Sequence, residues 1–351
     1  MKRRGDVGRI RSSGSSQPPR RTLRGYCSRE GICRGGHRTG ALRVGRKKDQ
    51  PTLNKRTATG LIAALTAAGC TVAALLALGL TGDSTSSSEL PRTSVPAFPD
   101  ATLTRVAVAG DTGTGPGSAI EGTVRAMVGQ HRQRAYDGLV LLGDLIYPEG
   151  DADQAPARIT DVFAPLTSQG VRLVPVLGNH DYMSDEQAEI LTEVGRERTW
   201  YADQVGIVRI VVLDTEQVDD PRQTVWLQET LDSPTDAAWT IVAMHKPAYS
   251  AGMHGSDQAI QNEWVPLFER YDVPLVLAGH DHDYQRSKPI GGVTYLVSGG
   301  AATLRPTGRE PFTEVSTSTL HYVDILAARD RLTLRAIDQS GMLFDSVELT
   351  P

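Results

Sequence analysis

Five short clusters in this chain carry the residue types that bind metal ions. They are G-D-T-G at 110–113, G-D-L-I-Y at 143–147, G-N-H-D at 178–181, V-A-M-H at 242–245 and G-H-D-H at 279–282. Asp111, Asp144, Asn179, His245, His280 and His282 are the candidate ligands. Hard oxygen and borderline nitrogen donors are mixed, which suits Fe, Zn, Mn or Co rather than an all-oxygen calcium site. A carboxylate that bridges two ions about 4 Å apart is the core of a two-metal hydrolase, where the paired charge stabilises a transferring phosphoryl group. A single G-D or H-D after a strand is ordinarily a turn; five in succession point to a site.

These clusters need elements that bring them together. The apolar runs 106–109, 139–142, 171–177, 208–213, 240–244 and 275–277 read as buried strands. Each candidate ligand follows the end of one of them, and in open α/β folds ligands collect at the carboxyl ends of the strands. Glycines before Asp111, Asp144, Asn179 and His280 let the backbone turn sharply there. Helical stretches fall between, at 118–134 and 186–194. Another opens at Asp220-Pro221, with Asp220 as N-cap and an apolar stripe of Val225, Leu227 and Leu231. From 294 the rhythm becomes antiparallel, with strands expected at 294–297, 322–326, 332–337 and 343–349. The expected architecture is an α/β, four-layer α/β/β/α sandwich of two mixed sheets over 104–351.

The remaining histidines fall outside the set: His131 reads as an exposed helix residue, His321 as the start of a strand and His37 as part of the tail. Met244 and Met253 read as packing residues.

Charge divides the chain in two. Residues 1–59 hold 17 Lys and Arg against 3 Asp and Glu, a net of +14, whereas the rest carries 20 against 38, a net of −18. An acidic body repels nucleic acid, so the folded part is not expected to bind it. Residues 1–59, rich in Arg and Gly, read as a disordered tail. Residues 60–82 carry no charge and are long enough to span a bilayer. Lys47, Lys48, Lys55 and Arg56 precede them, which orients the main body outside the cytoplasm. The segment reads either as a membrane anchor or as a signal-peptide core cleaved after Ala77-Leu-Gly79. Residues 83–103 form a Ser/Thr/Pro linker. The cysteines, Cys27, Cys33 and Cys70, all precede the domain, which therefore has no disulfide.

Taken together, the five clusters resemble those of the calcineurin-like metallophosphoesterases, and within them the purple acid phosphatases. Two residues select the subgroup. Most of the superfamily begins with Asp-x-His, whereas this chain has Asp111-Thr-Gly113. Tyr147 closes the second cluster, where the subgroup supplies a tyrosinate. The resemblance implies that Asp111, Tyr147, His282 and the bridging Asp144 hold Fe(III). Asn179, His245 and His280 would join Asp144 around a divalent ion, Fe, Zn or Mn. It also implies that His180 contacts the substrate phosphate and that His254 binds phosphate or protonates the leaving alcohol. Asp181 stands where many members have Glu. The reaction implied is in-line attack of metal-bound hydroxide, without a covalent phospho-enzyme, by a short single-domain form.

The expected function is hydrolysis of small phosphate monoesters by a secreted or membrane-anchored, extracytoplasmic enzyme. The alternative is a phosphodiesterase acting on nucleotides or phospholipid head groups at the same site. A binding protein with a decayed site is disfavoured, because all seven ligand positions are filled. A nucleic-acid-binding arm with a passenger domain would show affinity that falls steeply with salt. Specificity would come from the loops 148–158, 248–257 and 304–314.

Overall fold

The structure, a computed structural model, describes residues 90–99 and 103–351. The basic tail, the apolar stretch 60–82 and the first part of the expected linker lie outside the described residues. Among the described residues no helix is long and apolar enough to cross a membrane.

The described order begins with β1 (Thr93–Ser94), β2 (Thr104–Ala109), α1 (Ile120–Gln133), β3 (Gly138–Leu142), α2 (Asp161–Thr167), β4 (Arg172–Val176) and α3 (Gln187–Glu193). Then come β5 (Tyr201–Val205), β6 (Val208–Val212), α4 (Pro221–Asp232), β7 (Trp239–Ala243), α5 (Gln258–Glu263), α6 (Val265–Arg270) and β8 (Leu275–Ala278). The remaining strands are β9 (Tyr284–Ser287), β10 (Thr294–Ser298), β11 (Thr313–Thr317), β12 (His321–Ala327), β13 (Leu332–Asp338) and β14 (Met342–Leu349). One sheet has the order β1-β14-β13-β12-β2-β3-β4, the other β11-β9-β10-β8-β7-β6-β5. Both are mixed.

Alternation along the strands builds the layers. Val106 and Val108 of β2 face the core between the sheets, with Leu142, Ile241 and Leu277. Ala107 and Ala109 face the other way, onto Ile120 and Met127 of α1 and Phe163 of α2. In the second sheet Val211, Val242 and Val276 turn outward against Leu227 of α4 and Trp264 and Phe268. Strands buried on both faces read as continuous apolar runs, which is why the sequence reveals them. The result is the α/β/β/α sandwich.

Helix α4 starts as expected: the Asp220 side chain accepts from Arg222 N, and Pro221 follows. Leu227 and Leu231 are buried, but Val225 is 56% exposed. Gln223 occupies the buried face instead, accepting from Asp214 N at 2.8 Å and donating to Asp214 O at 3.0 Å. The 294–297 strand also departs from expectation. It becomes β10, antiparallel to β9 as the rhythm implied but also parallel to β8, and in the other sheet from β12–β14, because the polar β9, which lacks an apolar signal, leads the chain back there. His131 is buried rather than exposed; its Nδ1 accepts from Tyr136 N at 3.1 Å, pinning the turn after α1.

Part of the expected linker is held against the first sheet. Thr93 and Ser94 pair with β14, and Pro96 O accepts from Arg335 Nη1 at 3.0 Å. Phe98 lies over the guanidiniums of Arg105 and Arg335, at 4.4 and 4.9 Å. Beneath it the buried Asp324 accepts from Arg105 Nε and Nη2, both at 2.9 Å, and from Arg335 Nη2 at 2.5 Å. Removing one partner of such a group strands the others' charge away from water, which costs about 3–5 kcal/mol. Asp324→Ala is therefore expected to lower unfolding free energy by about that amount in a denaturant titration; a change under about 1 kcal/mol would show that the network is dispensable.

Candidate metal centre

Three parallel strands of the first sheet, β2, β3 and β4, end in Asp111, Asp144 and Asn179. Two of the second, β7 and β8, end in His245 and in His280 with His282. Parallel pairing of β2 with β3, β3 with β4 and β7 with β8 puts these ends on one side of the sandwich. Asp111, Asp144 and His280 adopt left-handed backbone, with φ of 58°, 50° and 71°. Such conformations cost non-glycine residues about 1–3 kcal/mol and persist where surrounding structure imposes them. The approach is close enough to require glycine. A Cβ on Gly178 would stand 2.2 Å from Asp144 N, and one on Gly143 2.4 Å from His245 Nδ1.

The seven candidate donors, Tyr147 included, fall into two groups that share Asp144. In the first, Tyr147 Oη lies 3.1 Å from Asp111 Oδ1, 2.8 Å from Asp144 Oδ2 and 3.1 Å from His282 Nε2. In the second, His245 Nε2 lies 3.3 Å from Asp144 Oδ1, 3.1 Å from Asn179 Oδ1 and 3.2 Å from His280 Nδ1. One oxygen of Asp144 faces each group. Donors adjacent on an ion with bonds of about 2.1 Å stand about 3 Å apart, so both spacings fit coordination.

The hydrogen bonds around the donors support the same use. His245 Nδ1 donates to Leu142 O at 2.7 Å, leaving Nε2 as the lone-pair side. His282 Nδ1 contacts Thr303 Oγ1 at 2.6 Å, which turns its Nε2 to Tyr147. The protein alone leaves this charge unresolved. Burial pushes the Asp111 carboxyl up. Burial opposes ionisation of Asp144 too, but the His245 charge and hydrogen bond hold it below the usual range. Asp144 in turn lifts the buried His245 to about 10, against the effect of burial. His280 is pressed down to about 2 by burial and by the neighbouring His245 and His254. Burial and two carboxylates make the Tyr147 phenol very hard to ionise. Cations among these donors would favour the ionised carboxyls and phenol and the neutral imidazoles, so the residues fit a pair of metal ions. Asp111, Asp144 and His282 bring ligand atoms within 4.8 Å of one another.

Neighbouring residues fix the ligands. Asp181 is fully buried and accepts from Leu145 N, Ile146 N and Gly178 N at 2.8–3.1 Å. Burial and Asp144 still raise it to about 7. His180 donates its backbone N–H to Asp144 Oδ1 at 2.9 Å, its Nδ1 meets Pro148 O at 2.5 Å, and its ring lies 4.6 Å from that of Tyr147. The His254 ring lies 4.3 Å from that of His280. Asp281, between two candidate ligands, points away from them. It accepts from Ser250 Oγ at 2.5 Å and from His254 N at 2.9 Å, so it holds the loop that carries His254. Met253 beside it is 64% exposed, not packed. Sequence reading missed Asp281, Thr303 and Arg305, which contacts His254; none of the three has a signal beyond its place near a cluster.

Gly113 explains its own identity. Its N–H donates to Asp144 O and its carbonyl accepts from Tyr147 N, both at 3.0 Å. A Cβ there would stand 2.4 Å from Ile146 N and from Leu145 C. The segment leading to Tyr147 thus crosses directly over Gly113 and leaves no space for a side chain.

The fold and the clustered donors define a metallophosphoesterase-type sandwich. Residues 104–284 match the calcineurin-like phosphoesterase family model, and the chain belongs to that family. It is 32% identical over 152 residues to an uncharacterised protein of Mycobacterium tuberculosis, a match covering 31% of this chain and 28% of that one. It therefore spans under a third of that relative's length. It is 27% identical over 251 residues to human tartrate-resistant acid phosphatase type 5, covering 58% of this chain and 76% of that one. Among solved structures, purple acid phosphatase PPD1 from yellow lupin seeds shares the fold, with a TM-score of 0.62 and 20% identity over 72% of this chain and 55% of the lupin chain. Within that family, the chain is similar over part of its length to these acid phosphatases.

Gly113→Ala is expected to displace the Leu145–Ile146 backbone and with it Tyr147. Metal content of the purified protein should fall and its melting temperature should drop; unchanged values for both would mean that the crossing is not close.

Proposed function

We propose that this chain is an exported phosphatase of purple acid phosphatase type that hydrolyses small phosphate monoesters. Its centre would hold Fe(III) at Asp111, Tyr147, His282 and Asp144, and a divalent Fe, Zn or Mn at Asp144, Asn179, His245 and His280. The observation that carries this reading is the Tyr147 oxygen, 2.8–3.1 Å from Asp111, Asp144 and His282. A phenolate among hard donors favours a trivalent ion. When bound, the two ions would neutralise charge on the phosphoryl group and acidify a water molecule to supply the nucleophile.

The chain's own residues divide the remaining work. Asp144 ties the two halves through its two oxygens. His180 is fixed through Nδ1 by Pro148 O, which turns Nε2 to the cleft side, 4.0 Å from Asp144 Oδ2. It is placed to hold a phosphoryl oxygen. His254 stands beside His280 with its backbone held by Asp281, at the edge where a leaving alcohol would depart. No covalent step is assigned to a side chain. Export is supported by the uncharged stretch 60–82 after Lys47, Lys48, Lys55 and Arg56.

Protein produced with iron available is expected to show visible tyrosinate-to-iron absorption and to hydrolyse an aryl phosphate monoester at acid pH, faster than the corresponding diester. Colourless, iron-free protein would sink the Fe(III) assignment, and faster diester turnover would favour a phosphodiesterase. Tyr147→Phe should abolish the colour. Asn179→Ala or His280→Ala should lower kcat by about a hundredfold or more; retained turnover would remove these residues from the centre.

A further inference from the structure

The loops 248–257 and 304–314 meet at one edge of the cleft. Gly308 N donates to Ala251 O at 3.0 Å, and Arg305 N donates to His282 O at 2.9 Å. Arg305 is half-buried, and its Nη1 contacts His254 Nε2. A guanidinium carries five N–H donors and no acceptor. The histidine must therefore be the acceptor in this contact. While it holds, His254 has no N–H at Nε2 to offer an incoming oxyanion, whereas Arg305 keeps its other donors.

The position and the charge of Arg305 agree with that. The His254 ring lies against the His280 ring, at 4.3 Å and an interplanar angle of 34°, so the guanidinium stands one imidazole away from a candidate ligand. Lys246, His254, Ser256 and His280 line a small cleft of about 80 Å³ there. Lys246 is engaged by Glu216 at 2.7 Å. Among the described residues no carboxylate pairs with Arg305. Its sequence neighbour Leu304 is 41% exposed and Met253, beside His254, 64%, which puts the Arg305–His254 pair at the mouth. A guanidinium so placed, with spare donors and no counter-charge, matches a phosphoryl group in shape and sign.

We propose that Arg305 binds a phosphoryl oxyanion of the substrate, taking over the anion-holding role otherwise given to His254, which orients the guanidinium by accepting from it. This rests on the phosphatase reading above. The oxyanion belongs either to the phosphate being cleaved or to a second phosphate on the leaving group.

Calorimetric titration of the metal-loaded full chain with inorganic phosphate and with pyrophosphate separates the two sources. Arg305→Gln is expected to weaken phosphate binding about tenfold or more and to raise KM for an aryl phosphate, with kcat changed less than KM. Arg305→Lys should recover part of the loss. A loss confined to pyrophosphate assigns the contact to a second phosphate. Arg309, exposed on the same loop and bonded to Glu314 O at 2.9 Å, is the control, and Arg309→Gln should bind both ligands as the wild type does. Wild-type affinities in Arg305→Gln, or an equal loss in Arg309→Gln, would overturn the assignment while leaving an active wild type as a phosphatase. A wild type that binds neither ligand and hydrolyses no phosphate ester would overturn the phosphatase reading and this assignment together.

Discussion

Asp111 and Asp144 bring two buried carboxylates to a single phenol oxygen, that of Tyr147. Like charges so close, away from water, each cost several kcal/mol unless opposite charge joins them. His245 supplies some of that charge, and its pKa of about 10 records how strongly Asp144 draws a proton to it. The rest of the centre is arranged around the same demand. Leu142 O fixes the His245 tautomer, Thr303 turns His282, and three N–H groups converge on Asp181. Left-handed backbone at Asp111, Asp144 and His280 is the local cost of bringing donors from two sheets to one point. Each sits at the end of a strand buried on both faces, and such an end is stiff enough to maintain the strain.

The same geometry couples two sequence positions. Tyr147 reaches the centre only because its segment crosses over Gly113, whose carbonyl accepts from Tyr147 N. A histidine at 113 would occupy the volume of that segment. Glycine at 113 and the position of Tyr147 are thus coupled through one backbone crossing.

How much of this was legible follows from range. Buried parallel strands are uniform apolar runs, and a ligand placed directly after one inherits its position, so the spacing of Asp111, Asp144, Asn179, His245, His280 and His282 carries the convergence. Polar strands such as β9 give no such signal, and without it residues 294–297 read as the first of a consecutive antiparallel run rather than as a partner of β8. His131 looked like surface because helical spacing does not reveal a backbone N–H, that of Tyr136, waiting to be accepted. The loop contacts were illegible for a similar reason: Thr303 meets His282, and Arg305 meets His254, across 21 and 51 residues. Met253 read as packing because composition does not show which side of a loop faces solvent.

Asp281 joins the two kinds of position. It lies between His280 and His282, on a loop set by a strand end, yet its carboxylate reaches outward to Ser250 and His254 N. Gly252 passes so near that a Cβ there would stand 2.5 Å from Asp281 Cγ. Thr303 and Arg305 are bound to the same short motif, through His282 Nδ1 and His282 O. These two loops therefore do not float over the centre; both are tied to the segment His280–Asp281–His282. A change in either loop that breaks these bonds disturbs the donors as well as the substrate contacts. A change confined to outward side chains such as Met253 and Leu304, which are exposed and take no part in these bonds, leaves the donors in place.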